Sequence, residues 1–487
     1  MSNYNRRDFA KLVVLGGIGY TVFSCTDASK KSKSTPTETE KEKEAIPTMP
    51  ELLPENIKLY QKADAEYQEL TVRFNKRFQQ SPTYIAQCFT TQGVVDAVKF
   101  ANFKDLKVVV KSGGHSFEGF SSTNDGLVVD VSAMKKMEWK PDHSLIVETG
   151  CILKELYNEM LPKQRILPSG SCATVGIAGL TLGGGYGFFS RKYGLTCDSL
   201  QSITLVDGKG NIHHESGTSA ILKACKGGGN GNFGIVTKMK FRTYQAPNFF
   251  QAYRCKAYKL TTERAKELLQ TWFRYTKNLP NTAFAAFVLN GKTLTVLITN
   301  YSSDNKGVLD MYNALKAISD KATIGSKRPL ARALQTFYGV QHPIYFKNAC
   351  AGLYKDFTQI EGCIDDVISK VISSRGLIYQ VNTLGGNINS AAAEKRSVFP
   401  HRSYPYLSEL QSYWDKPSQE ASRLAAFKEV QDRFYKHGIR AHYRNYPDIN
   451  FKDFETSYYG KYLPELKQIK KQLDPDNRIQ HPQSITV

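Results

Sequence analysis

The alternation of apolar and polar positions divides the chain into stretches with different periods. Residues 93–103, GVVDAVKFANF, place Val94, Val98 and Ala101 on one helical face with Ala97 alongside, which predicts an amphipathic helix. Short β-branched runs at 107–111, 126–131 and 145–148 read as strands. A helix is predicted over 152–160, and further strands over 201–206 and 233–241. After Pro247 the composition shifts. Residues 261–277 carry Ala265, Leu268, Leu269, Trp272 and Phe273 at helical spacing. Runs at 283–289 and 293–299 flank Asn290-Gly291-Lys292, a hairpin signal. Helices follow at 308–318 and 356–374. Strands and helices in this order predict an antiparallel sheet with helices over its rear face. The last stretch predicts a strand over 440–447 and a helix over 458–473, ended by Asp474-Pro475.

The first 48 residues fit neither pattern. Asn5-Arg6-Arg7-Asp8-Phe9-Ala10-Lys11, followed by an apolar run over 12–23, reads as a twin-arginine export signal. The run is too short to span a bilayer. Val22-Phe23-Ser24-Cys25 resembles a lipoprotein cleavage box, so residues 1–25 are expected to be a signal and Cys25 a lipid tether. Residues 26–48 are rich in Ser, Thr, Lys and Glu and predict a disordered linker. The expected location is the bacterial cell envelope, periplasmic or membrane-anchored.

The net charge of +20 raises the question of a nucleic-acid or anionic-surface partner. Lysine and arginine form no compact block and no nucleic-acid motif occurs, so a nucleic-acid partner is not expected. Nine cysteines without a C-x-x-C pair predict neither a zinc site nor a disulfide framework. Pairing among Cys88, Cys151, Cys197, Cys225, Cys255, Cys350 and Cys363 stays open. His342, His401, His437 and His442 have no metal-ligand spacing, so no metal is expected. His213-His214 read as a solvated loop.

Candidate chemistry concentrates in two glycine turns. Residues 168–187, PSGSCATVGIAGLTLGGGYG, combine dense glycine with Cys172. Such backbone approaches a ligand closely, and its bare N–H groups suit a phosphate or the edge of a flat cofactor. Val175, Ile177, Leu180, Leu182, Tyr186 and Phe188 interleave the glycines and require burial, which argues against a flexible linker. A dinucleotide-binding G-x-G-x-x-G is also disfavoured, because the stretch lies mid-chain and follows no clear buried strand. Upstream, KVVVKSGGHSFEG runs from a strand into a turn holding His115.

Together these turns resemble the FAD-linked oxidases of the vanillyl-alcohol-oxidase or PCMH type, and within them the berberine-bridge-enzyme-like branch. The resemblance rests on Gly113-Gly114-His115, on Gly170-Ser171-Cys172-Ala173-Thr174-Val175-Gly176, and on GGGNGNFGIVTKMKF. It returns in Asn445-Tyr446-Pro447-Asp448 and Pro482-Gln483-Ser484-Ile485. It implies FAD bonded twice, through His115 to the flavin 8α-methyl carbon and through Cys172 to flavin C6. It implies further cofactor contacts at Lys111, Ser112, Gly113, Gly114 and Ser116. The second turn adds Gly170, Ser171, Thr174, Val175, Gly176, Ile177 and Gly179, and the chain beyond it Gly234, Ile235, Val236 and Asn445. The implied fold is α+β: a two-subdomain FAD-binding domain over 75–245 and a substrate domain over 246–430. Residues 431–487 are expected to return to the FAD domain. Tyr462 and Glu465 depart from the family's usual Asn and Arg.

A flavin accepts hydride at N5, so the protein must take a proton from the substrate. Phe399-Pro400-His401-Arg402 resembles the family's F-P-H-R, and Glu409 follows on the same segment. On a strand, Tyr443 and Tyr446 point to opposite faces. The family pattern selects Tyr446, directly after Asn445, as the base, with Glu409 as its partner. A tyrosine of ordinary pKa ~10 is a poor base at neutral pH, but a relay to Glu409 would let it act. In relatives the residue after the T-V-G glycine lines the space above the flavin, so Ile177 is expected to slow reaction with O2. The expected reaction is oxidation of an alcohol, at C1 of a mono- or oligosaccharide to give a lactone, with O2 or another carrier as acceptor. The alternatives are a phenylpropanoid-type alcohol or an amine as substrate and, from another class, a catalytically silent surface binding lipoprotein.

Overall fold

In the computed structural model, which describes residues 49–487, the β-branched runs of the first half build two main sheets. The twin-arginine signal, Cys25 and the linker lie outside the described residues. The first sheet has the order Ile57–Tyr60, Tyr84–Cys88, Leu127–Asp130, Val108–Lys111. Its outer pair is antiparallel and the rest parallel. Strand Ile57–Tyr60 lies upstream of residue 75, where the sequence pattern had suggested the domain begins. Helix Thr91–Phe103 covers the sheet with the face read from its spacing: Val94, Ala97, Val98 and Ala101 are all fully buried. Thr90 caps it by accepting from Gly93 N–H at 3.1 Å. A Cβ at Gly93 would stand 1.9 Å from the Asn56 carbonyl oxygen, so only glycine lets the helix pack this closely. The second sheet is antiparallel, ordered Met137–Trp139, Ser144–Glu148, Ile235–Arg242, Leu200–Val206, Ile212–Ser216.

Residues 251–414 supply seven antiparallel strands, ordered Lys321–Ile324, Gln251–Ala257, Thr293–Asn300, Ala283–Asn290, Leu377–Thr383, Tyr406–Trp414, Tyr345–Tyr354. Helices Thr262–Thr276, Lys306–Ala317, Ile364–Ser373 and Glu420–Lys436 pack on one face through Leu268, Trp272, Val308, Ile364, Phe427 and Phe434. This is the expected α+β arrangement with an antiparallel sheet backed by helices. Trp272 is wholly buried, and truncating such a side chain to alanine costs ~3–5 kcal/mol. Alternation along the strands leaves Glu409, Gln411 and Tyr413 on the opposite, helix-free face. Gln380 pairs with Glu409 across the ladder.

The C-terminal residues return to the first sheet. Val108 N–H donates to the Arg478 carbonyl at 2.8 Å, Gln480 N–H to the Val108 carbonyl at 3.0 Å, and Ile485 N–H to Asn232 Oδ1 at 3.0 Å. Lys470 and Asp474, both buried, pair at 2.6 Å behind this join.

Four local expectations are corrected. Residues 440–447 form no strand but an irregular segment laid along Tyr345–Tyr354, where Cys350 N–H meets the Tyr446 carbonyl at 2.9 Å. The helix expected over 356–374 breaks at Gly362-Cys363 into Thr358–Glu361 and Ile364–Ser373. The helix expected over 458–473 is divided at Gly460, whose φ of +50° ends Phe454–Tyr459 before Leu463–Leu473 begins. His213 and His214 lie on strand Ile212–Ser216, with His213 Nε2 2.9 Å from Asp207. All eight described cysteines are free thiols. Among the described residues no helix is long and apolar enough to cross a membrane.

Candidate active site

A cavity of about 880 Å³ opens between the glycine turns and the helix-free face of the large sheet. Ser112 to Ser116 line it from the first turn, and Gly170, Ser171, Cys172, Val175, Gly176 and Gly179 from the second. Gly234, Ile235, Val236, Asn445, Tyr446 and Glu409 complete the predicted set that reaches it. Three predicted residues do not line it. Lys111 turns into a side recess and pairs with Asp130 at 2.6 Å. Thr174 borders the same recess and bonds His115. Ile177 is fully buried in the hydrophobic core behind the wall, because helix Ile177–Leu182 turns that position inward and presents Ala178 to the cavity instead.

The two turns are locked backbone to backbone. A Cβ at Gly113 would lie 2.4 Å from Gly176 N, and one at Gly176 would lie 2.4 Å from Ser112 Oγ. The Ser112 hydroxyl donates to the Thr149 carbonyl at 2.6 Å, and the Ser116 hydroxyl accepts from Phe120 N–H at 2.9 Å. Ser112 therefore offers backbone, not side chain, to the cavity, whereas the Ser116 hydroxyl keeps its proton to donate. The His115 ring stacks on Phe74, with centroids 4.0 Å apart, and its Nε2 lies 2.8 Å from Thr174 Oγ1. Burial pushes its pKa down to about 4, so the ring is neutral at physiological pH. Cys172 is exposed to the cavity. The enclosing walls, and then the charge of Glu409, hold its thiol pKa above the ordinary value.

Across from Cys172 runs a directed chain of hydrogen bonds. The Tyr446 phenol donates to the Tyr186 phenol oxygen at 3.1 Å, and Tyr186 donates to Glu409 Oε1 at 2.9 Å. Asn382 and Gln411 also donate to the Glu409 carboxylate, at 2.8 and 3.1 Å. Burial still dominates over these three donors and raises the Glu409 pKa to about 7. Burial, then the negative charge of Glu409, pushes the Tyr446 phenol well above its usual value. Tyr446 and Glu409 are thus linked, but through Tyr186 and not by contact. Tyr186 carries no separate sequence signal beyond an aromatic among glycines.

Tyr443 is not turned away as a strand would require. The irregular backbone brings its ring within 5.0 Å of Tyr446. Its phenol oxygen accepts from Gly185 N–H at 2.8 Å and from the Asn445 amide at 2.9 Å, so it positions the glycine turn and Asn445. Behind the site, buried Lys347 contacts Glu118 and pairs with Asp448 at 2.8 Å. One side chain thereby joins the His115 turn, the large sheet and the Tyr446 segment.

A sequence model described as an FAD binding domain matches residues 82–216, and one described as berberine and berberine like matches residues 442–486. The chain is an FAD-linked oxidoreductase, similar in both matched segments to the berberine-bridge-like enzymes. An uncharacterized FAD-linked oxidoreductase of Bacillus subtilis, YgaK, is 27% identical over 447 residues, covering 88% of this chain and 96% of that one. A carbohydrate oxidase of Microdochium nivale is 27% identical over 470 residues, covering 86% and 91%. The solved structure of the Physcomitrella patens BBE-like 1 protein superposes with a TM-score of 0.80 at 22% identity, covering 89% and 97%; that likeness establishes the PCMH-type fold.

The residues of this berberine-bridge-like chain fit FAD. The backbone N–H groups of Gly113, Gly114 and His115 find no acceptor among the described residues. A Cβ at Gly179 would meet nothing within 4 Å, so this part of the wall is bare and open. Ile177 takes no part in it. Ile177→Val is therefore expected to leave the rate of flavin reoxidation by O2 unchanged within twofold of ~1, while lowering stability by ~0.5–1.5 kcal/mol as a core truncation does. Stopped-flow reoxidation and thermal unfolding together test this; faster reoxidation in the variant would return Ile177 to the cavity wall.

Proposed function

We propose that this chain oxidises a mono- or oligosaccharide at C1, giving a lactone, with FAD held covalently by both His115 and Cys172. The observation that carries the reading is the Tyr446–Tyr186–Glu409 chain beside a sheet face rich in amides. On that face Gln380 donates to Asn382 Oδ1 at 2.8 Å, Gln411 to Gln380 Oε1 at 3.2 Å, Tyr413 to Gln411 Oε1 at 3.1 Å, and Asn348 to Tyr413 Oη at 3.0 Å. Asn348 Oδ1 is buried without a partner. Such a row of donors and acceptors suits a ligand with hydroxyl groups along its length, and the likeness to a carbohydrate oxidase points the same way.

Bound FAD would supply the hydride acceptor. The protein's part is proton removal. As the substrate hydroxyl gives its proton to Tyr446, the Tyr446 proton moves to Tyr186 and the Tyr186 proton to Glu409, along the direction in which the hydrogen bonds already point. The carboxylate is the sink, which removes the need for a tyrosinate that burial disfavours. Twin-arginine export and a lipid on Cys25 complete the proposal, supported by Arg6, Arg7 and the sequence around Cys25.

An anaerobic screen of sugars, alcohols and amines tests the substrate class. Aldoses with a free C1 are expected to bleach the visible flavin band, and the same sugars blocked at C1 are not. Bleaching by aromatic alcohols or amines alone would replace the saccharide reading, and no bleaching by any donor would favour a silent binding protein.

A further inference from the structure

Arg444 stands directly before Asn445 and lines the same cavity, yet the proton relay does not use it. It is only 5% exposed. Its Nε donates to Tyr459 Oη at 2.9 Å, and its Nη2 lies 2.8 Å from His481 Nε2 and donates to the Asn230 carbonyl at 3.5 Å. Its Nη1 meets no acceptor among the described residues. No described carboxylate pairs with the guanidinium, whereas buried Lys347, Arg402 and Lys470 each meet one. Buried Arg73, Arg191 and Lys226 also lack such a partner among the described residues, but of these four only Arg444 lines the cavity. His481 offers no compensating charge: burial, then the Arg444 cation, keeps its ring neutral.

A buried cation without a counter-ion is costly, and the open direction of this one is the cavity. Beside it the backbone N–H groups of Asn230 and Gly231 also lack an acceptor among the described residues. Gly231 has a φ of +67°, and a Cβ there would touch only the His481 ring, at 3.5 Å. A guanidinium and bare backbone amides in a left-handed turn form an anion site.

We propose that Arg444, with the backbone of Asn230 and Gly231, anchors the pyrophosphate of FAD. The flavin ring is claimed by other residues. His115 and Cys172 mark its attached edge, and Tyr446, Tyr186 and Glu409 mark its substrate side; none of these five bonds Arg444 or His481. The assignment requires only that FAD binds, whether attached at one residue, at both or at neither.

The test compares FAD with riboflavin, which carries the same ring and no phosphate. In a His115→Ala/Cys172→Ala background, Arg444→Met is expected to weaken FAD binding ~10–100-fold, the range of one charge-assisted hydrogen bond, and to leave riboflavin binding unchanged. Added salt should weaken FAD binding in the parent and less in Arg444→Met. Arg444→Lys should recover part of the loss. Equal weakening of FAD and riboflavin would place Arg444 against the flavin ring and overturn the proposal. With both anchor residues intact, Arg444→Met should lower the fraction of purified chains that carry FAD, and Arg444→Lys should restore it; flavin content equal to wild type would overturn it independently of how the anchor-free protein behaves.

Discussion

Replacing Tyr446 by phenylalanine is expected to slow substrate-driven flavin reduction by about 10²–10⁴-fold, the usual worth of a positioned proton acceptor. The ring stays, stacked on Phe117 at 5.2 Å, so folding and flavin content should hold. Tyr186→Phe removes the middle of the relay and is expected to fall in the same range, which a direct Tyr446–Glu409 contact would not require. Tyr443→Phe serves as the contrast. It strands the Gly185 N–H and the Asn445 amide, costing ~1–3 kcal/mol of stability, but leaves the relay in place and the rate within severalfold of ~1. The pH dependence has a defined sign. Glu409 accepts the proton only as a carboxylate, and its pKa is raised to about 7. Reduction should therefore speed up as pH rises through ~7 and level off above it, and Glu409→Gln should abolish that rise. Anaerobic stopped-flow across pH reads all four variants. A Tyr446→Phe enzyme with a near-normal rate would remove the phenol from proton transfer.

Acid-denatured protein is expected to keep its yellow flavin in the wild type and in either single variant, His115→Ala or Cys172→Ala, and to lose it in the double variant. The two proposed attachment points, both lining one cavity, lead to this pattern. The two groups differ in readiness. His115 is a neutral imidazole at physiological pH, while Cys172 is a thiol whose pKa is raised and must lose its proton as it bonds. The Cys172→Ala variant should therefore load flavin through His115 with little dependence on pH. The His115→Ala variant should load faster as pH rises, since the thiolate is the nucleophile. Denatured pellets and peptide mass spectra decide the matter; a colourless wild-type pellet would exclude covalent attachment altogether.

The elements that bring the two turns together were legible because they obey simple periods. The buried face of Thr91–Phe103 and the hairpin at Asn290-Gly291 follow from spacing and turn chemistry alone. Strand Tyr345–Tyr354 was not legible, because nearly every position is buried on both faces and no alternation remains to read. Residues 440–447 misled for the opposite reason. Their aromatic residues look like a strand, yet Tyr446 N–H closes a turn onto the Tyr443 carbonyl at 3.0 Å, and this rotates both phenols toward the cavity. Cys172 and His115 announced themselves as reactive groups among glycines. Tyr186 and Arg444 did not, since their roles come from neighbours over 200 residues distant in sequence, Glu409 at 223 positions for Tyr186 and Asn230 at 214 for Arg444.

The join between Val108 and residues 478–480 leaves one edge of the first sheet dependent on a distant part of the chain. Val108–Lys111 leads into the His115 turn, and its free edge is completed by residues more than 360 positions further along the chain. Arg444, Tyr446 and His481, which wall the same cavity, also emerge late. Domains of long chains generally fold from the N-terminus while synthesis continues, but here the first sheet gains its last edge only when residues 478–480 have been added. Until those residues dock, the edge of Val108–Lys111 beside the His115 turn stays open. Removing residues 478–487 is therefore expected to deprive the His115 turn of its support although they lie more than 360 positions away in sequence.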